Sequence, residues 1–520
     1  MPRPTIHFSA SAWRRLGQAL FFALFLFLFI TTDYSGADEL TWAVNLLFRI
    51  DPLLAFSAML AGKTVIALML PALLTLVLAL IFGRFFCGWI CPLGTLIDGS
   101  RHLFIERKKS PGPGRRQLKY YLLIFLLSSA LFGLPLTGLI DPFSLLVRGL
   151  AFAVHPALDS AAASFFTWTY QHAPGWVNAA TEPAYGLLKS LLPFAAKVYG
   201  LSVFSLFLLL TVLGLSVLER RFFCRKVCPL GALLALFSRF SLLSLSGGRA
   251  DCGKCRQCRS ICRMGAIDEQ RSISSAECIL CLDCLTHCPG ARISYGRRSV
   301  DQQATDLSRR AVLTSLTAGL LVPLVLPTRL LARFSDPLLI RPPGALAEAA
   351  FLGRCVRCGE CMKVCIGNAL QPAWLEAGLE GIFTPRLIGR IGYCEYNCTL
   401  CGQVCPTGAI RRLTGEEKRK TVIGRAYFDK NRCLPFAKGV PCMVCEEHCP
   451  TPEKAIKFRE ARVLNSRGEE VDLRQPYVSD ELCIGCGICE NKCPLSGGAA
   501  VMVTAEGESR REGRVVQDGY

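Results

Sequence analysis

Most of the 28 cysteines in this 520-residue chain fall into runs of four at short, repeating intervals. Cys252, Cys255, Cys258 and Cys262, followed by Cys278, Cys281, Cys284 and Cys288, form two tandem C-x2-C-x2-C-x3-C runs. This is a spacing at which thiolates hold 4Fe–4S clusters. Four more runs follow: Cys355, Cys358, Cys361 and Cys365; Cys394, Cys398, Cys401 and Cys405; Cys433, Cys442, Cys445 and Cys449; and Cys483, Cys486, Cys489 and Cys493. The Cys394 run has three residues in its first gap and the Cys433 run eight, which enlarges a loop without removing a ligand. Pro289, Pro406, Pro450 and Pro494 follow the last cysteine of their runs, whereas Arg263 and Ile366 stand there in the other two. Zinc sites usually draw four ligands as two pairs, so tandem four-cysteine runs favour iron–sulfur. Six 4Fe–4S clusters and one-electron transfer are the chemistry this pattern implies. In the tandem arrangement three cysteines wrap one cluster and the fourth crosses to its neighbour. Cys252, Cys255 and Cys258 then share a cluster with Cys288, and Cys278, Cys281 and Cys284 share one with Cys262.

The remaining four cysteines belong to an internal repeat. Arg84-Phe85-Phe86-Cys87-Gly88-Trp89-Ile90-Cys91-Pro92-Leu93-Gly94 agrees with Arg221-Phe222-Phe223-Cys224-Arg225-Lys226-Val227-Cys228-Pro229-Leu230-Gly231 at eight of eleven positions. The pairs Cys87/Cys91 and Cys224/Cys228 have i, i+4 spacing, which on a continuous helix places each pair on one face. Four convergent thiols could hold a metal or cluster, act as a redox pair, or pack beside the proline that follows. Each repeat half also carries an Asp-Pro step, Asp51-Pro52 and Asp141-Pro142. Asp as N-cap with Pro at the first helical position starts a helix well. The other reading of Asp51 and Asp141 is proton handling at a quinol site.

These residues need elements to hold them. Uncharged apolar runs at Leu16 to Thr32, Thr64 to Phe82, Tyr120 to Ile140 and Tyr199 to Leu218 are long enough to cross a hydrocarbon layer of roughly 30 Å. No small-residue cleavage site follows the first, so it reads as a span and not as a removed signal. Arg101 to Lys119 holds seven basic residues and Arg220 to Arg259 nine, against two and three in the opposing connections. By the bias of Lys and Arg, the N-terminus and the segments after the second and fourth spans face the cytoplasm. The net charge of +19 collects beside apolar segments, which suits membrane orientation and anionic lipid head groups better than nucleic acid. None of the six histidines lies in an apolar run, which argues against a membrane haem. No GxGxxG or GxxxxGK[ST] loop offers NAD, a dinucleotide-type flavin or ATP a place, and no catalytic triad is evident. The fold class expected is an α-helical polytopic membrane domain, four spans plus a fifth helix, with two ferredoxin-like α+β 4Fe–4S domains.

Between the cluster regions, Ser308-Arg309-Arg310-Ala311-Val312-Leu313 precedes an apolar run as far as Thr328. It resembles a twin-arginine export signal inside the chain, with Val312 and Thr314 departing from the usual pattern; a fifth membrane helix requires the same crossing. On either reading the last four runs lie outside the cytoplasm, so residues after about 330 are expected in the periplasm and residues 246–300 in the cytoplasm of a bacterial inner membrane.

Taken together, these motifs resemble a fusion of two ferredoxin-type accessory proteins of periplasmic nitrate reduction. The paired FCxxxCPLG motifs and the first two-cluster region are similar to the NapH type. The twin-arginine run, Arg341-Pro342-Pro343-Gly344-Ala345-Leu346 and the four later runs are similar to the NapG type. A related pair, MauN and MauM, accompanies methylamine dehydrogenase maturation. The organisation expected is a membrane domain over 1–245, a cytoplasmic two-cluster domain over 246–300, a signal-like helix and linker over 301–345, a four-cluster domain over 346–505 and a polar tail over 506–520. The resemblance implies quinol oxidation, with electrons passing to a periplasmic reductase or cytochrome acceptor, or alternatively a role in maturing a periplasmic metalloenzyme. It also implies nested pairing of the last four runs, first with fourth and second with third, although sequential pairing suits the spacing equally.

Overall fold

The computed structural model describes residues 10–34, 36, 38–40, 42–100, 116–191, 197–247, 255–288, 292–297, 307–325, 338–464 and 467–510; Cys252 and Thr328 lie outside them. The chain divides into two compact units. One comprises residues 1–31, 44–150 and 203–325, the other 32–43, 151–202 and 326–520.

The first unit is helical. Ala10–Thr31, 22 residues, is the one described helix long and apolar enough to cross a membrane. The other three apolar runs do not form helices of that length. Thr64 to Phe82 divides at Pro71 into a turn, Ala67–Met69, and the helix Ala72–Phe82, because proline has no N–H to continue the ladder. Tyr120 to Ile140 stops at Leu131, where Gly133 takes a φ of +85° and Pro135 follows, and resumes only as Thr137–Ile140. The last run gives Ser202–Leu218, 17 residues. The apolar run after Arg309 forms a helix, Arg309–Val325, that packs on Leu118–Leu131. Their approach is close enough that a Cβ on Gly319 would collide with the Ser128 hydroxyl, a small-residue contact of the kind that lets helix backbones meet.

Four short helices of this unit share one way of starting. Pro52–Gly62, Pro92–Ser100, Pro142–Gly149 and Pro229–Ser238 each open on proline. The residues before them, Asp51, Cys91, Asp141 and Cys228, each accept backbone N–H groups on the side chain. The Asp-Pro steps therefore start helices as their sequence implies. Strands Leu243–Ser246 and Ser294–Arg297 pair antiparallel, with Leu245 opposite Tyr295, and bracket the first two cysteine runs.

The second unit holds the last four runs on three antiparallel strand pairs: Leu370–Pro372 with Pro385–Leu387, Arg425–Phe428 with Val501–Thr504, and Ile456–Leu464 with Glu470–Val478. The Arg425–Phe428 and Val501–Thr504 pair encloses the last two runs in sequence. Gly408-Ala409-Ile410 contributes a single bridge, Ile410 to Ala345. That bridge docks the Arg341-Pro342-Pro343-Gly344 segment. Arg341 is buried and donates to Glu348, Thr384 Oγ1 and the Pro385 carbonyl. Segments 32–43 and 151–202 are tied into the same unit: Lys197 Nζ meets Asp33 Oδ1 at 2.8 Å, the Tyr199 hydroxyl donates to the Met362 carbonyl at 3.1 Å, and Gln371 Nε2 donates to the Val198 carbonyl at 2.8 Å. Two helices here, His155–His172 and Gly175–Leu191, have no counterpart in the sequence reading. Their apolar residues are diluted by Ala, Ser, Thr and Asn below the level that marks a span.

Candidate iron–sulfur and thiol site

The cysteine runs fold into tight loops that end in a short helical turn, as in Gln257–Ile261, Asp283–Thr286, Glu360–Lys363, Leu400–Gln403, Val444–Glu447 and Ile488–Lys492. Several loops use left-handed backbone. Gly359, Gly485 and Gly487 do so freely, and Leu280, Leu282 and Arg357 do so with side chains, an uncommon conformation that here turns successive N–H groups into the loop.

The loops bring the cysteines together across runs. Cys278, Cys281 and Cys284 line one cavity with Cys262, and Cys255 and Cys258 line another with Cys288, as the tandem spacing implies. In the second unit Cys355, Cys358 and Cys361 line a cavity with Cys405, while Cys394, Cys398 and Cys401 line one with Cys365. Cys433 and Cys445 lie within electrostatic reach of Cys442 and Cys493, and Cys483 and Cys486 within reach of Cys449. The runs therefore pair sequentially, and the nested order is not what the structure shows. The reason lies in the strands: Leu370–Pro372 with Pro385–Leu387 folds the third and fourth runs onto each other before the fifth begins.

The crossing cysteines share a second feature. Backbone N–H groups of Ala266, Arg292, Ile410 and Ala500 donate to the sulfurs of Cys262, Cys288, Cys405 and Cys493 at 3.2, 3.4, 3.4 and 3.4 Å. Such bonds stabilise thiolate and raise cluster potential. Burial works the other way. Burial first, then the neighbouring thiols, pushes Cys284 and Cys445 up to about 12. Thiols placed like this keep their protons until a cationic centre replaces them, so loading releases protons. Among the described residues no three Cys, His, Asp or Glu close tightly around one point. The four-thiol cavities suit a polynuclear cluster, which would supply reversible one-electron transfer, better than a single ion.

The paired-thiol motifs of the first unit depart from a continuous helix. Cys91 N–H bonds to the Phe86 carbonyl and Cys228 N–H to the Phe223 carbonyl, five residues back. Each motif is thus a wide turn that puts its second cysteine at the N-cap of the next helix, where Gly94 and Gly231 N–H groups point at Cys91 and Cys228 Sγ at 3.5 and 3.3 Å. The i, i+4 face expected from spacing is replaced by this turn, yet the thiols still converge. Cys87, Cys91, Cys224 and Cys228 all lie within electrostatic reach of one another, and burial followed by the nearby thiols raises Cys91 and Cys228.

Three groups that sequence reading passed over build the surroundings. Arg84 and Arg221, which open the two repeat motifs, exchange partners across the repeat. Arg221 donates to the carbonyls of Cys87 and Gly94, both at 3.2 Å, and Arg84 lies against Gly231, so close that a Cβ there would sit 2.7 Å from its Nη2. The repeat itself carried that signal. Asp98 gathers Arg14, Arg221 and Arg263 at 3.4, 2.9 and 3.0 Å; burial raises its carboxyl, but the three guanidiniums outweigh burial and hold it well below the usual range. Glu277, beside Cys278, receives Arg84, Lys119 and the Tyr120 hydroxyl at 3.2, 2.5 and 3.0 Å, and nothing in the sequence marks it.

The thiol turns rest on the first cluster region. Phe82, Phe85, Cys87 and Cys224 pack against the buried core formed by Cys262, Met264, Ile279, Cys281 and Cys284. Trp89 Nε1 donates to the Leu280 carbonyl at 3.0 Å, and a Cβ on Gly88 would collide with the Ile279 carbonyl oxygen.

Comparison with known proteins agrees with this geometry. Residues 64–111, 201–250 and 401–425 match a family described as 4Fe-4S binding domain, residues 476–495 match a second family of that description, and residues 250–291 match the NosR family. The first two ranges contain the paired thiol turns. The methylamine utilization ferredoxin-type protein MauM of Methylophilus methylotrophus is 34% identical over 169 residues, 32% of this chain and 71% of that protein. MauM of Paracoccus denitrificans is 33% identical over 224 residues, 41% of this chain and 91% of its own length. The ferredoxin-type protein NapG of Escherichia coli is 38% identical over 158 residues, 30% of this chain and 66% of that protein. No solved structure matches. With its cysteine loops paired in this way and its relatives covered to this extent, the chain belongs to the family of ferredoxin-type iron–sulfur electron-transfer proteins that includes NapG and MauM.

Proposed function

We propose that this protein is a membrane-bound electron carrier that takes electrons from quinol and delivers them through six 4Fe–4S clusters, held by the 24 cysteines of the six runs, to a periplasmic acceptor such as a nitrate reductase system. The observation that carries the reading is the packing of Cys87 and Cys224 against the core of the first cluster region. That contact gives electrons a short route between the paired turns and the Cys262, Cys278, Cys281 and Cys284 cavity. In this reading Cys87, Cys91, Cys224 and Cys228 receive electrons at the membrane face, and the NapH-like half, residues 1 to about 300, supplies the quinol side.

The division into units supports the topology of four spans plus a fifth helix. Residues 32–43 and 151–202, in the connections that the charge bias places outside, fall in the unit that holds the last four runs. The close packing at Gly319 favours a retained fifth helix over a removed export signal.

The test is anaerobic purification in detergent, mixing with a reduced quinol and following the clusters by absorbance and electron paramagnetic resonance. Cluster reduction by quinol is expected. Clusters that dithionite reduces and quinol does not would overturn the quinol reading. The names of the MauM relatives favour a second reading, maturation of a periplasmic enzyme. A partner enzyme that needs this protein during its synthesis but turns over without it afterwards would select that reading.

A further inference from the structure

Asp51 and Asp141 cap the repeat-related helices Pro52–Gly62 and Pro142–Gly149. Asp51 Oδ1 accepts the N–H groups of Leu53 and Leu54 at 2.8 and 3.2 Å, and Asp141 Oδ2 accepts that of Ser144 at 2.9 Å. Both residues are wholly buried, at 0% exposure. Capping occupies one oxygen of each carboxyl and leaves Asp51 Oδ2 and Asp141 Oδ1 without a donor. The two side chains lie within hydrogen-bonding reach of each other.

Two carboxylates that face each other in a dry interior cannot both stay ionised, because mutual repulsion adds to the cost of burying each charge. One proton held between the two orphaned oxygens satisfies both. Two helix N-termini then stabilise the single negative charge that remains. Arg148, on the Pro142–Gly149 helix, is the cation that acts on Asp141, and it also donates to the Leu139 carbonyl at 2.9 Å. The buried Ser144 hydroxyl also lies within reach of Asp141. The ring of Phe143, two residues after Asp141 in the chain, lies 6.0 Å from that of Phe48 and 5.9 Å from that of Phe86. Phe86 adjoins Cys87, so a line of buried rings runs from the carboxyl pair to the thiol turns.

We propose that Asp51 and Asp141 share one proton and together accept a second from a quinol, an inference that rests on the quinol reading above. Oxidation of one quinol to quinone releases two protons and two electrons. One quinol O–H bond breaks as an O–H bond forms on the pair, which passes from one proton to two. The other proton leaves to solvent, and two iron–sulfur clusters take one electron each. Loss of the added proton to solvent returns the pair to its starting state.

Asp51→Asn and Asp141→Asn test this while keeping a side chain that caps a helix. The first readout needs no turnover. Infrared spectra of the loaded wild-type chain should show a protonated carboxyl stretch that shifts in heavy water and is absent in both variants. A wild-type spectrum without that band, or a band that survives in both variants, overturns the shared proton. The second readout is quinol-driven cluster reduction, which should slow about a hundredfold in each variant, the scale of a positioned general base, with iron content and dithionite reduction unchanged. Wild-type rates in both variants overturn the acceptor role and leave the quinol reading standing. Failure of quinol to reduce the wild-type chain overturns the quinol reading and, with it, the acceptor role, while the infrared band still decides the shared proton.

Discussion

The backbone N–H of Cys394 donates to the carbonyl of Cys486 at 2.8 Å. This bond joins the loop that lines the Cys365 cavity to the loop of the last run, and so links the two sequentially paired groups of the second unit. Four thiol groups follow one another in this unit: Cys355 with Cys405 and Cys394 with Cys365, each lining a cavity, then Cys486 with Cys449 and Cys445 with Cys493, each within electrostatic reach.

Sequential pairing is tested with paired substitutions and an iron assay. Cys365→Ala and Cys398→Ala each remove a ligand from the same cavity. Each should cost about four irons, and the double variant about four, since the same cluster is lost twice. Cys365→Ala combined with Cys358→Ala should cost about eight. Losses of eight in the first double variant would mean that Cys365 and Cys398 serve different clusters.

The total count is informative by itself. Six clusters give about 24 irons per chain, and a seventh on Cys87, Cys91, Cys224 and Cys228 gives about 28. A fully loaded anaerobic sample holding zinc, or fewer than about sixteen irons, would sink the six-cluster assignment.

Cysteine spacing made the cluster loops legible because ligand geometry is local: three thiols within seven residues define a cavity whatever surrounds them. The crossing of Cys262 and Cys288 was legible for the same reason. The order of the last four runs was not, since it depends on strands as short as Leu370–Pro372, whose pairing no local pattern announces. Apolar runs gave the positions of helices but overstated their length, because Pro71 and Gly133 act on backbone hydrogen bonds and leave hydropathy unchanged. Asp98 and Glu277 were invisible for a different reason. Each is one carboxylate whose cations come from distant parts of the chain, Arg14, Arg221 and Arg263 in one case and Arg84 and Lys119 in the other.

Asp98→Asn should therefore destabilise the first unit severely. It leaves Arg14 and Arg221, 1% and 2% exposed, beside a neutral amide. Removing one partner from a buried ion network costs about 3–5 kcal/mol. Detergent-solubilised variant should unfold at a markedly lower temperature than wild type, and an unchanged midpoint would show that the three guanidiniums find other partners.

Gly88→Ala addresses the docking of the thiol turn. The added methyl meets the Ile279 carbonyl oxygen, and a rigid backbone atom cannot move aside cheaply, so a cost of about 1–3 kcal/mol is expected. The repeat-related residue is Arg225, which pairs with Glu219 at 3.1 Å and also lies within electrostatic reach of Cys262. Gly88→Ala should alter the spectrum of the Cys278 cluster. A spectrum identical to that of wild type would show that the contact has no bearing on the cluster.

The second unit offers a pH test on a carboxylate. Glu348 lies between Arg341 and Arg510, at 2.6 and 2.7 Å. Burial raises its carboxyl, but the two guanidiniums outweigh burial and bring it from an ordinary 4.5 to about 2. A carboxyl lowered by folding stabilises the folded state above its unfolded value, and that contribution disappears as pH falls from about 4.5 toward 2. Glu348 is 35% exposed, so solvent screening cuts the contribution to roughly 1 kcal/mol. Arg341, by contrast, is fully buried and loses a partner in Glu348→Gln. Thermal unfolding of wild type and Glu348→Gln should differ by a constant amount between pH 6 and 8, with the variant less stable. The gap should narrow as pH drops below about 4.5, because wild type loses the charge that the variant never had. A gap that stays the same across that range would assign the effect to the shape of the glutamine side chain and not to the carboxylate held between the two arginines.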